Sequence, residues 1–287
     1  MLSTLARALG APEIGGPCDD ASALIDVFPT ESLRALAHAL IVCAVAEGDL
    51  APESAAWLRD AARVWRVESP WISILGALQR GDVRPVKRCL YTRSPDARRI
   101  LSRTWSEEGL GGIGRALLFA LGRFEDPALA ARFRALDRLP GGSFGRAVFE
   151  HLSRRGLSFP GEKGGVPERM FHHDLMHVLN DFDTDARGEC EIGAFYAAFA
   201  RGDAFTYLMT AVATFQLGLR VSPEAVTPAV GAFDYDRMIA AYLRGRQLNT
   251  DVMGPWDYWS LFALPLDEVR ARLGLEAPAG DGGPRLA

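Results

Sequence analysis

Residues 168–189 read ERMFHHDLMHVLNDFDTDARGE. Leu175, Val178, Leu179 and Phe182 supply an apolar face, and the run opens after Pro167 and closes in an Asn/Asp-rich loop, so a helix of about four turns is predicted between Pro167 and Phe182. Asp185 is the predicted cap of a following helix whose first turn holds Glu189. The stretch is therefore a helical hairpin. The same periodicity extends outward. Leu33, Leu36, Ala37, Leu40, Ile41 and Ala44 form one stripe between Glu31 and Glu47, after Thr30 as N-cap, and a second helix starts at Pro52 and runs to Trp65. Further helices are predicted at 115–122, 127–136, 143–155, 186–201, 203–219, 234–247 and 266–273. No strand-like alternation of any length occurs, so the expected fold class is all-α: a multi-helix domain preceded by a helical extension.

Composition narrows the class. The chain has 287 residues, 48% hydrophobic and 24% charged, which is ordinary globular usage and excludes wholesale disorder, collagen-like repeats and a coiled-coil rod. A net charge of −4 argues against non-specific nucleic-acid binding by the whole chain. The four cysteines, Cys18, Cys43, Cys89 and Cys190, are far apart with no CxxC pair, which indicates neither a disulfide framework nor a thiolate zinc site and makes the cytoplasm the expected compartment. No signal peptide is read at the N-terminus. The longest uncharged candidate for a span, Ala204 to Leu219, carries Thr206, Thr210, Thr214 and Gln216 and reads as a buried core helix.

Gly109, Gly111, Gly112 and Gly114 mark a linker, which places an N-terminal helical extension at 1–110, a second domain at 111–276, and a tail of disordered composition at 277–287. The segment EGDLAPES at 47–54 faintly resembles the helix junction of TerB-like domains but lacks alternating calcium ligands. Residues 80–103 hold eight basic side chains against Asp82 and Asp96. Without interleaved aromatics this reads as the solvated faces of helices.

Three of the five histidines, His172, His173 and His177, fall within six residues. His173 and His177, four apart, project from one helix face, and Asp174 flanks it. Glu189 sits at nearly the same height on the returning helix, about 3 Å away along the axis. Two imidazoles and two carboxylates suit zinc, iron or manganese, with zinc the first expectation. The segment 168–203 has eight acids against Arg169, Arg187 and Arg201, a repulsion that a bound cation would relieve. Asp181, Asp183 and Asp185 read as loop and cap residues, and His172 points about 100° away from His173. HDxxH also mimics the HExxH of metal hydrolases, with Asp174 in the general-base position.

The arrangement His173-Asp174-x-x-His177, eleven residues, then Glu189 after Gly188, resembles the metal motif of the coenzyme Q biosynthesis protein four (Coq-four) family. LPGGSFGRAVFEHL at 139–152 resembles the family's LP-x-x-(S/T)-x-G segment. YLRGRQLNTDV at 242–252, Trp256 and PLDEVRARLGL at 265–275 resemble its C-terminal end. The resemblance covers about residues 113–276 and implies a helical homodimer with a divalent metal and a groove for a polyprenyl chain. It also implies a place in ubiquinone biosynthesis among partner enzymes, with peripheral membrane contact. The implied reaction replaces the ring carboxylate of a prenylated hydroxybenzoate by hydroxyl; a prenyl-lipid scaffold and a metal hydrolase are the alternatives. The implied ligands are His173, Asp174, His177 and Glu189, with Arg169 pairing a substrate carboxylate. Three features depart from the family: residues 1–110 have no counterpart, Asn180 stands at a customary glycine, and Gly193 replaces a basic residue. Gly193, Ala194, Ala197 and Ala198 either leave room for a prenyl tail or serve close helix packing.

Overall fold

Proline, glycine and capping side chains set most helix limits. A computed structural model describes residues 21–45, 48, 50–94, 102, 105–106, 109, 111, 125–200, 203–221, 227–254 and 256–275. Its α-helices are α1 (Thr30–Ala44), α2 (Pro52–Val64), α3 (Pro70–Ser73), α4 (Leu75–Arg80), α5 (Val83–Arg93), α6 (Pro127–Arg134), α7 (Phe144–Arg154), α8 (His172–Asn180), α9 (Ala186–Phe199), α10 (Phe205–Ala211), α11 (Tyr235–Gly245) and α12 (Leu266–Arg272). Among the described residues no strand forms, only the isolated bridges Ser143–Pro265 and Leu217–Val230, so the chain is all-α as expected. No helix of the described residues is long and apolar enough to cross a membrane. The predicted helix at 115–122, most of the glycine-rich linker and the tail lie outside the described residues.

The described residues fall into two compact units, one from 1–94 and 184–243, the other from 95–183 and 244–283. In the first, Ile41, Leu58, Trp71, Leu75, Val86, Met209 and Val212 share one core, so α1–α5 are packed with the segment that follows α9. Thr30 is the first helical residue after Pro29 and makes no cap bond. Between α1 and α2, Gly48, at φ +104°, turns the chain. The predicted helix at 203–219 is shorter: α10 widens into a π-helical turn, Val212–Gln216, where Leu217 N–H reaches back to the Val212 carbonyl. Buried Gln216 holds this turn, donating to the Val45 carbonyl at 3.1 Å and accepting from Phe233 N–H at 3.2 Å.

His38 stacks on Phe205 with centroids 4.2 Å apart, and its Nε2 lies 2.9 Å from Ser69 Oγ. Burial, with the Arg34 charge adding to it, holds this imidazole down to about 4. An unfolded histidine titrates near 6.5, so between those values the unfolded chain binds a proton that the folded chain refuses, and stability falls as pH is lowered. The urea midpoint is expected to be lower at pH 5 than at pH 7. His38→Phe, which keeps the stacked ring, should show a smaller pH dependence.

Gly193 on α9 meets α10 directly. An added Cβ would lie 2.9 Å from Ala211 Cβ and 3.2 Å from the Tyr207 carbonyl oxygen. At Gly193, then, the small residue serves close packing of α9 on α10. Gly193→Val is expected to destabilise the chain by about 1–3 kcal/mol, read from the urea midpoint.

In the second unit Phe133, Phe144, Phe171 and Phe262 are fully buried, with Trp259 packed on Phe133 at 4.7 Å. The LPGGSFG segment owes its residues to the start of α7. Ser143 Oγ accepts from Arg146 N–H at 3.3 Å and donates to the Pro140 carbonyl at 2.7 Å. The Phe144 and Gly145 amides donate to the Leu264 and Phe262 carbonyls, both at 2.8 Å, so these orphan N–H groups of the helix are satisfied. That approach needs glycine, since a Cβ on Gly145 would come within 2.6 Å of Leu139 and 2.8 Å of Phe262.

Candidate metal centre

The helix carrying the histidines is shorter than its sequence suggests. Glu168–Met170 form a separate 3-10 turn, and α8 has nine residues. The turn is fixed by Glu168, whose carboxylate accepts from Trp259 Nε1 at 2.8 Å and Tyr258 Oη at 3.2 Å. Arg169 is half-buried, and its carbonyl lies 3.2 Å from His172 Nδ1, which turns His172 back onto the preceding turn.

The far end of α8 is held from the C-terminal segment. Asp181, at φ +56°, stops the helix. Arg270, 9% exposed, donates to the Leu179 carbonyl at 2.8 Å and the Val178 carbonyl at 3.3 Å. Arg244 donates to Asn180 Oδ1 at 2.6 Å, and Asn180 Nδ2 donates to the Met176 carbonyl at 3.0 Å. Two cations therefore sit at the negative end of the helix dipole and satisfy carbonyls left open by helix termination.

Between these ends His173 and His177 approach with ring centroids 4.8 Å apart. His177 is 1% exposed, and its Nδ1 lies 3.2 Å from the Phe182 carbonyl oxygen. A carbonyl can only accept, so this contact places the ring proton on Nδ1 and leaves the Nε2 lone pair as the metal-binding atom. Glu189 lies in the first turn of α9, whose start Asp185 caps by accepting from Arg187 N–H at 3.0 Å and Gly188 N–H at 2.9 Å.

His173, His177 and Glu189 form a group that can hold a metal ion, with one ligand atom from each within 4.8 Å of the others. Two nitrogens and one carboxylate oxygen fit a divalent ion of the zinc, iron or manganese type. Asp174, half-buried in the first turn of α8, is not in this group.

Models of known protein families give no match to this chain, and neither do curated proteins. Among solved structures, one from Nostoc punctiforme PCC 73102, a protein provisionally assigned to ubiquinone biosynthesis, is similar at 19% identity and a TM-score of 0.38. The match covers 72% of this chain and 96% of that one.

The loop acids behave as the sequence suggests. Asp183 pairs with Arg155 at 3.0 Å, and Asp185 is a cap. Part of the repulsion in 168–203 is relieved by the protein itself. Glu191, 8% exposed at its side chain, is gripped by Arg237 at 2.8 and 3.0 Å. Burial pushes the Glu191 carboxyl up while that pairing acts against it. Cys43, Cys89 and Cys190 are free thiols, and burial raises each above the ordinary thiol range.

Sequence reading gave no role to Arg244, Arg270 or Asn180, which hold α8 in place. His151 is likewise given no role by local spacing. It is 8% exposed on α7, its ring lies 5.8 Å from that of His177, and burial, with the charges of Arg155, His177 and His173, holds it down to about 3. It is therefore neutral near pH 7. The one signal for it in the sequence is its place inside the LPGGSFGRAVFEHL segment.

Proposed function

We propose that this chain is a metal-dependent enzyme of the Coq-four type acting in ubiquinone or prenylquinone-type biosynthesis, on the ring carboxylate of a prenylated hydroxybenzoate. The observation that carries the reading is the meeting of His173, His177 and Glu189 at the motif spacing that resembles that family. Asp174 is the proposed fourth ligand. A metal there supplies Lewis-acid stabilisation of developing negative charge.

The chain's own residues have separate tasks. His177, with its proton fixed on Nδ1 by Phe182, presents a lone pair in a set direction. Arg169, one turn before His173, is the proposed partner of the substrate carboxylate. Exchange of the carboxylate for hydroxyl breaks the ring–carboxylate bond, releases carbon dioxide and adds one oxygen atom. It therefore needs an oxidant such as dioxygen with a two-electron reductant. Iron or manganese suits that chemistry and zinc, which lacks redox states, does not.

The test is turnover of a polyprenyl hydroxybenzoate by protein loaded in turn with iron, manganese and zinc, aerobically with reductant. Release of carbon dioxide that disappears in His177→Ala supports the reading. Binding of the prenyl compound without turnover under any metal overturns it in favour of a lipid-carrying scaffold. A second reading, metal-dependent hydrolysis, takes its support from the HDxxH spacing, which puts Asp174 in the general-base position. Activity on ester, peptide or nucleotide panels that is lost in Asp174→Asn with metal retained would select it.

A further inference from the structure

Residue His151 stands beside the candidate centre without belonging to it. It projects from α7, where Val148 and Leu152 are buried with it, and its ring faces that of His177 at 5.8 Å with the planes 28° apart. Its Nε2 is buried, and among the described residues no hydrogen-bond partner reaches it. Leaving such an atom unsatisfied costs about 1–3 kcal/mol, so a buried imidazole nitrogen of this kind is open to a partner that the described residues do not supply. Apolar side chains fill shape equally well at no such cost. His151 is not in the ligand group of His173, His177 and Glu189.

We propose that His151 Nε2 is the hydrogen-bonding contact for an oxygen of the aromatic acid held at this group, a substrate-orienting residue rather than a metal ligand. The proposal rests on the metal reading of the group. An imidazole with its proton on Nε2 can donate to a carboxylate or phenolate oxygen, and the buried setting strengthens that bond. The contact fixes which oxygen of the ring acid turns toward the histidines.

The experiment loads the full chain with Co(II), follows its visible absorption, and titrates 4-hydroxybenzoate as the probe. The variants are His151→Phe, which keeps a ring without nitrogen, His151→Ala, and His151→Gln, which restores a donor; circular dichroism establishes that each is folded, and any one folded nitrogen-free variant suffices. The expected result is Co(II) affinity within about threefold of the parent, probe affinity about tenfold weaker in the Phe and Ala variants, and substantial recovery in His151→Gln. Unchanged probe affinity in a folded Phe or Ala variant overturns the proposal. So does a collapse of Co(II) affinity, which would make His151 a ligand. A parent that binds Co(II) but not the probe overturns the inference and leaves the metal reading standing. A parent that takes up no Co(II) removes the metal reading itself.

Discussion

Replacing His177 by alanine is expected to reduce metal uptake from about one ion per chain to background. The ring is buried, its proton is fixed by the Phe182 carbonyl, and it stands 4.8 Å centroid to centroid from His173. Without it one imidazole remains with two carboxylates, Glu189 and the proposed ligand Asp174, a weaker donor set expected to lose its ion on dialysis. His172→Ala is the control, because that ring turns back to the Arg169 carbonyl and should leave metal content unchanged. Elemental analysis of dialysed protein reads both. Removing His177 also opens a space in a buried setting, so a fall in stability accompanies the loss of metal. Metal content measured on folded protein separates the two effects.

Arg270→Ala is expected to cost about 3 kcal/mol. Its guanidinium is nearly fully buried and donates to the Leu179 and Val178 carbonyls at the end of α8. Hydrogen bonds from charged donors contribute about 1.5–3 kcal/mol each, and truncation leaves both carbonyls without these donors. The ion pair with Asp267 adds little, since that carboxylate side chain is 82% exposed. Lysine should rescue poorly, because a point charge cannot supply two donors in a fixed fork. Urea denaturation gives the cost, and a weaker metal affinity in the same variant would show that the helix end positions His177.

The two faces of the candidate site were unequally visible in the sequence. His173, His177 and Glu189 could be placed together from helix period and hairpin register, because both depend only on local spacing. The length of α8 could not, since the break at Phe171 follows from Tyr258 and Trp259 holding Glu168 across about ninety residues. Arg244 and Arg270 were not legible for the same reason: their partners on α8 are distant in sequence. The all-α class was legible because it follows from periodicity repeated along the chain. The sharing of one core by Ile41, Trp71 and Val212 was not, since nothing local to 30–94 indicates what covers its apolar faces. The π-helical turn at Val212–Gln216 likewise follows from where Gln216 finds its partners, Val45 and Phe233.

Anomalous scattering from crystals of metal-loaded protein, collected at the absorption edge of the bound metal, tests the central claim most directly. One strong peak is expected about 2.0–2.2 Å from His177 Nε2, with His173, Glu189 and Asp174 completing the shell. A peak away from these residues, or none in protein shown to be folded and exposed to excess metal, would contradict the claim.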